Sequence, residues 1–469
     1  MPANLPTRQR LSAVQLALWV SHHVDPAQHT HNIALRVDIH GVVDPGRFLA
    51  VLRNVVTETE TLHSRIVEAE DGPWQVVDPS IECPVSFLDL TADPAPEQTA
   101  RAWMDADVNE PVDLHHGPLA AFALFQLADD RFIWYLRAHH LVVDAYSGYL
   151  IVQRQADLYT ALVDGDLTHS PGFGSLAAAW AEQSRYQESA EFAHDRAYWS
   201  EYLRNLPGAA SLATRAAPAS ADLLRMTCEP PPATVRHMRD TARRARSMPQ
   251  LTVLAATAAY LHRITGDPDL TLGFWATGRT GGLLRHTPCA AANVLPVRLA
   301  VGTRTTGLQL VRQATEQARR GLRHQRYRYE DLWAGRSADN TAQPLLGPHV
   351  NILHTEGDLR FGMATAAVRD VAFGPVEDLV IAVRDEPGRQ RMHVELNAIV
   401  LTASPSTGSA SSGCCGPWWP TRTGRSVSWT SSTRRSVTVS CTGGTRPSAG
   451  HRRPRCPRCS RPRWNVPRT

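Results

Sequence analysis

The first third of the chain alternates between apolar runs of strand length and segments with helical periodicity. The apolar run at residues 132–136 predicts a buried strand. Residues 149–162, which follow it, carry apolar side chains at helical spacing and predict an amphipathic helix. Two further helices are predicted over residues 44–59 and 96–108. This alternation across residues 8–165 indicates an α/β arrangement.

The second part of the chain follows a hinge-like stretch of Asp, Gly, Ser and Pro at residues 164–172. Residues 176–203 are predicted to be helical. Four aromatic residues in this segment are expected in the core: Trp180, Tyr186, Trp199 and Tyr202. A helix that runs to Leu261 and a strand over residues 271–277 come next. With 469 residues the chain exceeds the usual size of one core, so we expect two lobes.

The formal net charge of +4 hides a strong asymmetry along the chain. Residues 404–469 contain twelve arginines and no acidic residue, which leaves a net charge of −8 over residues 1–403. The acidic part therefore argues against a nucleic-acid partner. No apolar run approaches the length of a membrane span, and the first residues lack the apolar core of a signal peptide. We expect a cytoplasmic protein that binds neither nucleic acid nor membrane.

The last segment, residues 404–469, has an unusual composition. It is dense in Ser, Thr, Arg, Pro, Gly, Cys and Trp, shows no helical or alternating pattern, and holds five of the eight cysteines. Translation of a GC-rich gene in a wrong frame gives this composition, so we expect a disordered tail produced by a frameshift near codon 400. Two alternatives are a basic tail that binds nucleic acid and a zinc site at Cys456 and Cys459, which lack a second well-spaced pair.

The residues with the clearest chemistry are two adjacent histidines at the end of the predicted strand. His139 and His140 are followed by Asp144, and histidine titrates near neutrality, which suits proton transfer. Other interpretations remain open. Both histidines are compatible with ordinary positions at the edge of a core, and Asp144 with an N-cap of the next helix. A metal site at His140 and Asp144 lacks an obvious third ligand nearby, so we expect no metal there.

This stretch resembles the H-H-x-x-x-D-G signature of nonribosomal peptide synthetase condensation domains. It reads H-H-L-V-V-D-A-Y-S here, with Ala145 where the family usually has glycine. Other family motifs are matched in order by residues 11–19, 60–66, 273–282, 293–299, 324–332 and 345–353. Two segments, G-P-H-V-N-I-L and G-P-V-E-D-L-V-I-A-V, are most similar to the condensation domain that opens the seryl module of enterobactin synthase. The resemblance covers about residues 8–402.

The resemblance implies an α/β fold of two chloramphenicol-acetyltransferase-like lobes that form a V-shaped pseudodimer. The histidine motif then lies at a tunnel between the lobes. On this basis residues 1–170 are expected to form the N-terminal lobe and residues 171–403 the C-terminal lobe, with the tail at 404–469.

The resemblance also implies an acyltransferase that joins a carrier-bound acyl or peptidyl thioester to the amino group of a carrier-bound amino acid. His140 is expected to accept the amine's proton or to hold the amine in line. His139 is expected to orient the motif. Asp144 is expected to be structural and to pair with Arg279 of the A-T-G-R-T segment. Ala145 in place of glycine raises the question of a narrower substrate channel.

Three more residues are tunnel candidates by resemblance. Asn351 is expected to face the tunnel, with an ordinary strand or turn position as the alternative. Ser147 is expected either to bond the substrate or to act in capping the helix. Arg65 stands at the arginine of the family's second motif.

The implied partners are an upstream donor carrier protein and a downstream acceptor carrier protein, with an adenylation domain encoded downstream. No cofactor is expected on the domain itself, because the phosphopantetheine arms belong to the carriers. Similarity to the enterobactin enzyme points to an aryl-acid donor. Two other functions remain open. One is a stand-alone acyltransferase of the same superfamily that makes an amide or ester on a free acceptor. The other is a non-catalytic remnant that only docks carrier proteins.

Overall fold

The structure is a computed structural model that describes residues 8–25, 30–165, 171–204, 206, 209–210, 223–332, 346–353, 359–374, 376, 379–386 and 391–399. The frameshift, nucleic-acid and zinc predictions for the tail at 404–469 lie outside the described residues. No helix of the described part is both long enough and apolar enough to cross a membrane.

The described part contains two large sheets and one small one, with helices packed against them. The strands are β1 Arg8–Arg10, β2 Asn32–His40, β3 Ser64–Ala69, β4 Gly72–Val77, β5 Val85–Asp89, β6 Ala120–Ala128, β7 Arg131–His139, β8 Leu223–Cys228, β9 Asp269–Ala276, β10 Asn293–Ala300, β11 His349–Leu353, β12 Arg360–Phe361, β13 Ala364–Phe373, β14 Leu379–Glu386 and β15 Arg391–Ile399. The helices are α1 Ala13–Val24, α2 Pro45–Glu58, α3 Pro96–Val108, α4 Ala145–Asp164, α5 Leu176–Gln187, α6 Ala190–Tyr202, α7 Pro232–Ala245, α8 Leu251–Thr265, α9 Gly282–Arg285 and α10 Gly307–Arg323.

The two large sheets have six strands each, in the orders β12-β13-β2-β7-β6-β5 and β10-β9-β11-β14-β15-β8. The small sheet has the order β1-β4-β3. Each large sheet has its own buried apolar cluster. Two sheet-based lobes of mixed α and β structure are therefore present, which confirms the predicted fold class.

The predicted division into contiguous lobes needs one correction. Residues 360–373 fall within the predicted C-terminal lobe, but their strands belong to the first sheet, where β13 pairs antiparallel with β2. The reason is packing: Phe361 is fully buried and its ring lies 5.3 Å from that of Phe48. The chain therefore crosses from β11 of the second sheet into the first and returns to the second in β14.

The predicted elements agree with the structure where local signals are strong. The predicted strand at 132–136 lies within β7, and α2 and α3 occupy the two predicted helical segments. Asp44 caps α2 through an N–H bond from Arg47, 3.0 Å long. The helix predicted over 176–203 is interrupted, because the Ser189 hydroxyl accepts the Phe192 N–H and starts a new helix there. Trp199 is fully buried, as predicted for a core aromatic.

Candidate active site

A cavity between the two large sheets contains the second histidine of the motif. Its volume is about 1210 Å³ including its open mouth. One wall comes from the first sheet and includes Ile33 and Leu35, and the other comes from the second sheet and includes Trp275 and Asn351. His140 lies on the wall just beyond the end of β7. The walls are mainly apolar with a few polar groups, which is the usual character of a small-molecule site.

His140 is held by its backbone and leaves its imidazole available. Its N–H donates to the carbonyl of His31 over 2.8 Å. Gly374, at the crossover after β13, has a φ of +85° and packs against the ring, where an added Cβ would come within 2.9 Å of Cδ2. Among the described residues, no side chain hydrogen-bonds the His140 ring. One ring nitrogen interacts with the backbone carbonyl of His140 itself, which leaves the other nitrogen to a substrate in the cavity.

The protonation state of His140 suits a base. Burial lowers the pKa of His140 below its ordinary 6.5, and the charge of Asp144 opposes this shift in part. The neutral imidazole therefore predominates at neutral pH. A neutral imidazole accepts a proton, which is the role that attack by an amine requires.

His139 points away from this chemistry. Its ring is buried, and Nδ1 accepts the N–H of Leu141 over 3.2 Å. Burial lowers the pKa of His139 well below 6.5, and the neighbouring rings of His31 and His22 add to this effect. His139 is therefore a neutral core residue that shapes the turn before His140. This geometry agrees with its expected orienting role and gives it no contact with the cavity.

Asp144 is the centre of a buried hydrogen-bond network. Its carboxylate accepts two bonds from Arg279, of 2.7 and 3.1 Å, and one from the Ser147 N–H that caps α4. The N–H groups of Ala291 and Ala292 donate two more, of 2.9 and 2.8 Å. Burial raises the pKa of Asp144, but the Arg279 charge and these donors together lower it to about 2. The carboxylate therefore holds structure and does not bond His140.

Arg279 is equally constrained. Its side chain is fully buried. Besides Asp144, the guanidinium donates to the carbonyls of Leu284, Thr277 and Cys289. The ion pair expected from the resemblance is present, and it joins the start of α4 to the loop after β9 of the second sheet. The Asp144–Arg279 pair is therefore a clamp between the two lobes next to the cavity.

The depressed pKa of Asp144 predicts an acid-dependent loss of stability. A carboxylate whose pKa is about 2 when folded and 3.8 when unfolded stabilises the protein above pH 4. That contribution, of about 2 kcal/mol, is lost as the pH falls from about 4 towards 2. We expect the difference in free energy of unfolding between wild type and Asp144→Asn, measured in urea, to shrink from pH 5 to pH 3. A constant difference across this range contradicts the prediction.

The remaining predicted residues divide between the cavity and other places. Asn351 in β11 and Ala145 at the first turn of α4 line the cavity. Ala145 does not have a positive φ, so its backbone does not require glycine and only its methyl group enters the channel. Ser147 is fully buried, donates to the Cys289 carbonyl and accepts from Arg279, so no hydroxyl proton is left for a substrate.

Arg65 corrects the prediction of a tunnel role. It lies on β3 of the small sheet, where Nε donates to the Asp78 carboxylate over 3.1 Å, and it does not line the cavity. The motif resemblance predicts an arginine at this position of the sequence, but it does not indicate how far that arginine lies from the cavity. Arg65 is part of a half-exposed ion pair on the small sheet.

The sequence did not predict two charged residues of the cavity wall or the glycine that packs against His140. Asp370 on β13 and Arg384 on β14 form an ion pair across the two sheets, and both line the cavity. Gly374 contacts the His140 ring. The G-P-V-E-D segment that includes Gly374 was recognised only as a resemblance. The crossover of β13 brings Asp370 and Gly374 to the site, and the sequence near these two residues does not indicate that crossover.

Comparison with known proteins agrees with this geometry. The family model described as "Condensation domain" matches residues 7–386. A dimodular nonribosomal peptide synthase of Bacillus subtilis is 35% identical over 398 residues, which cover 85% of this chain and 17% of that protein. Enterobactin synthase component F of Escherichia coli O157:H7 is 31% identical, with 85% of this chain and 31% of that protein covered. The chain thus spans less than a third of the length of these relatives.

A solved structure is also similar. A variant of the starter condensation domain of rhizomide synthetase RzmA, in complex with C8-CoA, has a TM-score of 0.80 and 36% sequence identity. The match covers 86% of this chain and 92% of that one.

Proposed function

This chain belongs to the family of nonribosomal peptide synthetase condensation domains, which are acyltransferases that form amide bonds. We propose that His140 takes part in this reaction by accepting a proton from the acceptor amine. The observation that carries the proposal is the placement, on the wall of the cavity between the lobes, of a neutral imidazole that no described side chain bonds. The acyl donor and the acceptor are both thioesters of phosphopantetheine arms on separate carrier proteins.

The reaction requires that the attacking amine lose a proton. An α-amine with a pKa of about 8 must be neutral to attack the donor's thioester carbonyl. As the C–N bond forms and the C–S bond breaks, the amine proton passes to His140 and then to the departing thiolate. No acyl-enzyme forms, so no serine or cysteine nucleophile is needed. The cavity supplies the rest of the rate by holding both thioesters together.

We propose an upstream carrier as donor and a downstream carrier as acceptor, with an adenylation domain encoded further along. The main alternative is transfer to a free amine or alcohol. The two are separated by incubating an acyl-loaded donor carrier with either an aminoacyl-loaded acceptor carrier or the same amino acid free in solution. Carrier-delivered acceptor is expected to react faster by at least about two orders of magnitude, because tethering raises the effective concentration. Equal rates favour the stand-alone acyltransferase.

A non-catalytic remnant is the third possibility, and the site geometry argues against it. The clamp of Asp144 and Arg279 is complete, with every donor satisfied around the carboxylate. Gly374 leaves room for the His140 ring. A remnant has no need for this packing beside an open cavity.

We further propose that the donor is a hydroxylated aryl acid, following the similarity to enterobactin synthase. The support in the cavity is the pair of Asp370 and Arg384, which offers both an acceptor and donors beside apolar walls. A plain alkyl chain, such as the C8 group in the similar starter-domain structure, displaces water from this ion pair and offers no hydrogen bond in its place.

Arg384→Met tests the donor class. The wild type is expected to use a dihydroxybenzoyl thioester in preference to an octanoyl thioester. The variant is expected to shift this ratio of kcat/KM towards octanoyl by about tenfold or more, which is the value of one hydrogen bond to a charged group. Arg369→Met is the matched control, because Arg369 is mostly exposed and bonds Asp38 instead. A wild type that prefers octanoyl refutes the aryl assignment.

For the tail at 404–469, we propose an out-of-frame translation, supported by its composition alone. Sequencing the gene across codon 390 and several hundred bases downstream tests this. A single-base change that restores a frame encoding a final helix supports the proposal, and an unchanged frame rejects it.

A further inference from the structure

A cluster of two histidines and a glutamate lies on the first lobe, apart from the cavity. His23 is in the last turn of α1, Glu68 is on the edge strand β3, and His115 is in the loop before β6. One ligand atom from each lies within 4.8 Å of the other two. All three side chains are substantially exposed to solvent. Neither the proposed reaction nor the family motifs use these residues.

The hydrogen bonds of the two rings fix their orientation. Nδ1 of His23 lies 3.2 Å from the carbonyl oxygen of Trp19, and Nδ1 of His115 lies 3.2 Å from that of Ile66. A carbonyl only accepts, so Nδ1 carries the proton in both rings. The Nε2 atoms are thereby left to face Glu68, at 3.0 Å from Oε1 for His23 and 3.7 Å for His115.

When both rings are neutral, this arrangement places two hydrogen-bond acceptors, the Nε2 atoms, against a third acceptor, the Glu68 carboxylate. Each Nε2 presents a lone pair to a carboxylate oxygen, and such pairs repel unless a cation lies between them. Histidine ligands of zinc commonly donate their other ring N–H to a backbone carbonyl, which fixes the tautomer. Both histidines of this cluster already make that bond.

We propose that His23, Glu68 and His115 bind one Zn²⁺ ion, with the fourth position open to water. Imidazole nitrogen and carboxylate oxygen are ordinary zinc ligands at about 2.0–2.2 Å, and tetrahedral geometry then places ligand atoms about 3.3–3.6 Å apart. The two separations from Glu68 Oε1, 3.0 Å to His23 Nε2 and 3.7 Å to His115 Nε2, bracket that spacing. Small side-chain shifts complete the site.

The ion links three elements of the first lobe that are distant in sequence. It holds the end of α1 to β3 and to the loop before β6. His22, next to His23, has its ring 6.0 Å from that of His139, which precedes His140. Zinc therefore stabilises α1, the helix whose His22 packs against His139 of the histidine motif.

Zinc titration of the metal-free full chain at about pH 7.5, above the ordinary histidine pKa of about 6.5, tests the site. Calorimetry is expected to give one more bound zinc for the wild type than for Glu68→Gln, and an affinity at least about tenfold weaker in His23→Gln and His115→Gln. Saturating zinc is expected to raise the Tm of the wild type by a few degrees. All three side chains are exposed, so the variants should fold.

His116→Gln is the matched control, because His116 is the adjacent exposed histidine and pairs with Asp113 instead. It is expected to bind zinc as the wild type does. The tail cysteines are present in every protein compared, so any zinc they bind cancels. Equal stoichiometry and affinity in the wild type, Glu68→Gln and His116→Gln overturn the proposal. A wild-type Tm that rises on acidification but does not respond to zinc identifies a protonated histidine–glutamate bridge and also overturns it.

Discussion

His140→Ala is expected to lower the rate of amide formation by about 10²–10⁴-fold, the usual contribution of a positioned base. The loss should appear in kcat rather than in the binding of either carrier, because the imidazole acts on the amine only as the C–N bond forms. The fold should survive, since no described side chain bonds the ring. Single-turnover kinetics with both loaded carriers measures the effect, and a Tm close to wild type shows that the protein is folded.

Val380→Ala is a suitable control for His140→Ala. Val380 lines the same cavity but carries no ionisable group, so its truncation changes the shape of the wall and leaves the proton path intact. We expect its effect on the rate to be far smaller than that of His140→Ala. Similar losses in the two variants imply that His140 acts through packing alone.

The pH dependence gives a second readout for His140. Since burial lowers the pKa of His140, the neutral form persists below pH 6.5. Protonation of the acceptor amine, whose pKa is about 8, lowers the rate towards acid in both proteins. The wild type should show a second, additional fall below the ordinary histidine pKa, and the residual rate of His140→Ala should lack this second limb. A limb that is unchanged in the variant assigns the titration to another group.

Asp144→Ala is expected to destabilise the protein by about 3–5 kcal/mol, the cost of leaving one partner of a buried ion pair uncompensated. The substitution strips Arg279 of its counter-charge and also removes the acceptor for the Ala291 and Ala292 N–H groups. It deletes the N-cap of α4 as well. Urea unfolding followed by circular dichroism gives the free energy of unfolding. Loss of soluble protein on expression indicates an even larger destabilisation.

Two further variants make this prediction specific. Asp144→Asn retains an oxygen for the cap and is expected to lose less stability than alanine. Asp78→Ala breaks the half-exposed pair with Arg65 and should have little effect, because exposed ion pairs contribute little. A folded Asp144→Ala protein of wild-type stability with slow turnover refutes the structural assignment and makes Asp144 part of the chemistry.

The sequence was informative where chemistry and local pattern coincide. The strand, the paired histidines and the helix cap at Asp144 lie within one short segment, so spacing and resemblance were sufficient to predict them. The partner Arg279, 135 residues away, followed from the resemblance and is present with a 2.7 Å bond.

One part of the cavity wall depends on the crossover of β13 into the first sheet. That strand brings Asp370 and Gly374 to the site, and its pairing with β2 has no local signal. For the same reason the predicted lobe boundary misplaced residues 360–373. For Arg65 the error was the reverse: the sequence predicted a cavity residue that does not line the cavity. A motif match gives the order of residues along the chain but not their proximity to a cavity.

The most direct test of the central claim is the mass of the acceptor carrier after one turnover. An acyl-loaded donor carrier and an aminoacyl-loaded acceptor carrier are mixed with the wild-type chain or with His140→Ala, and both carriers are weighed intact. The account predicts that, with the wild type, the donor loses its acyl group and the acceptor gains the same mass as an amide, while the variant leaves both nearly unchanged. Acyl transfer to the acceptor at equal rates with the two proteins, or loss of the donor acyl group to water alone, contradicts it.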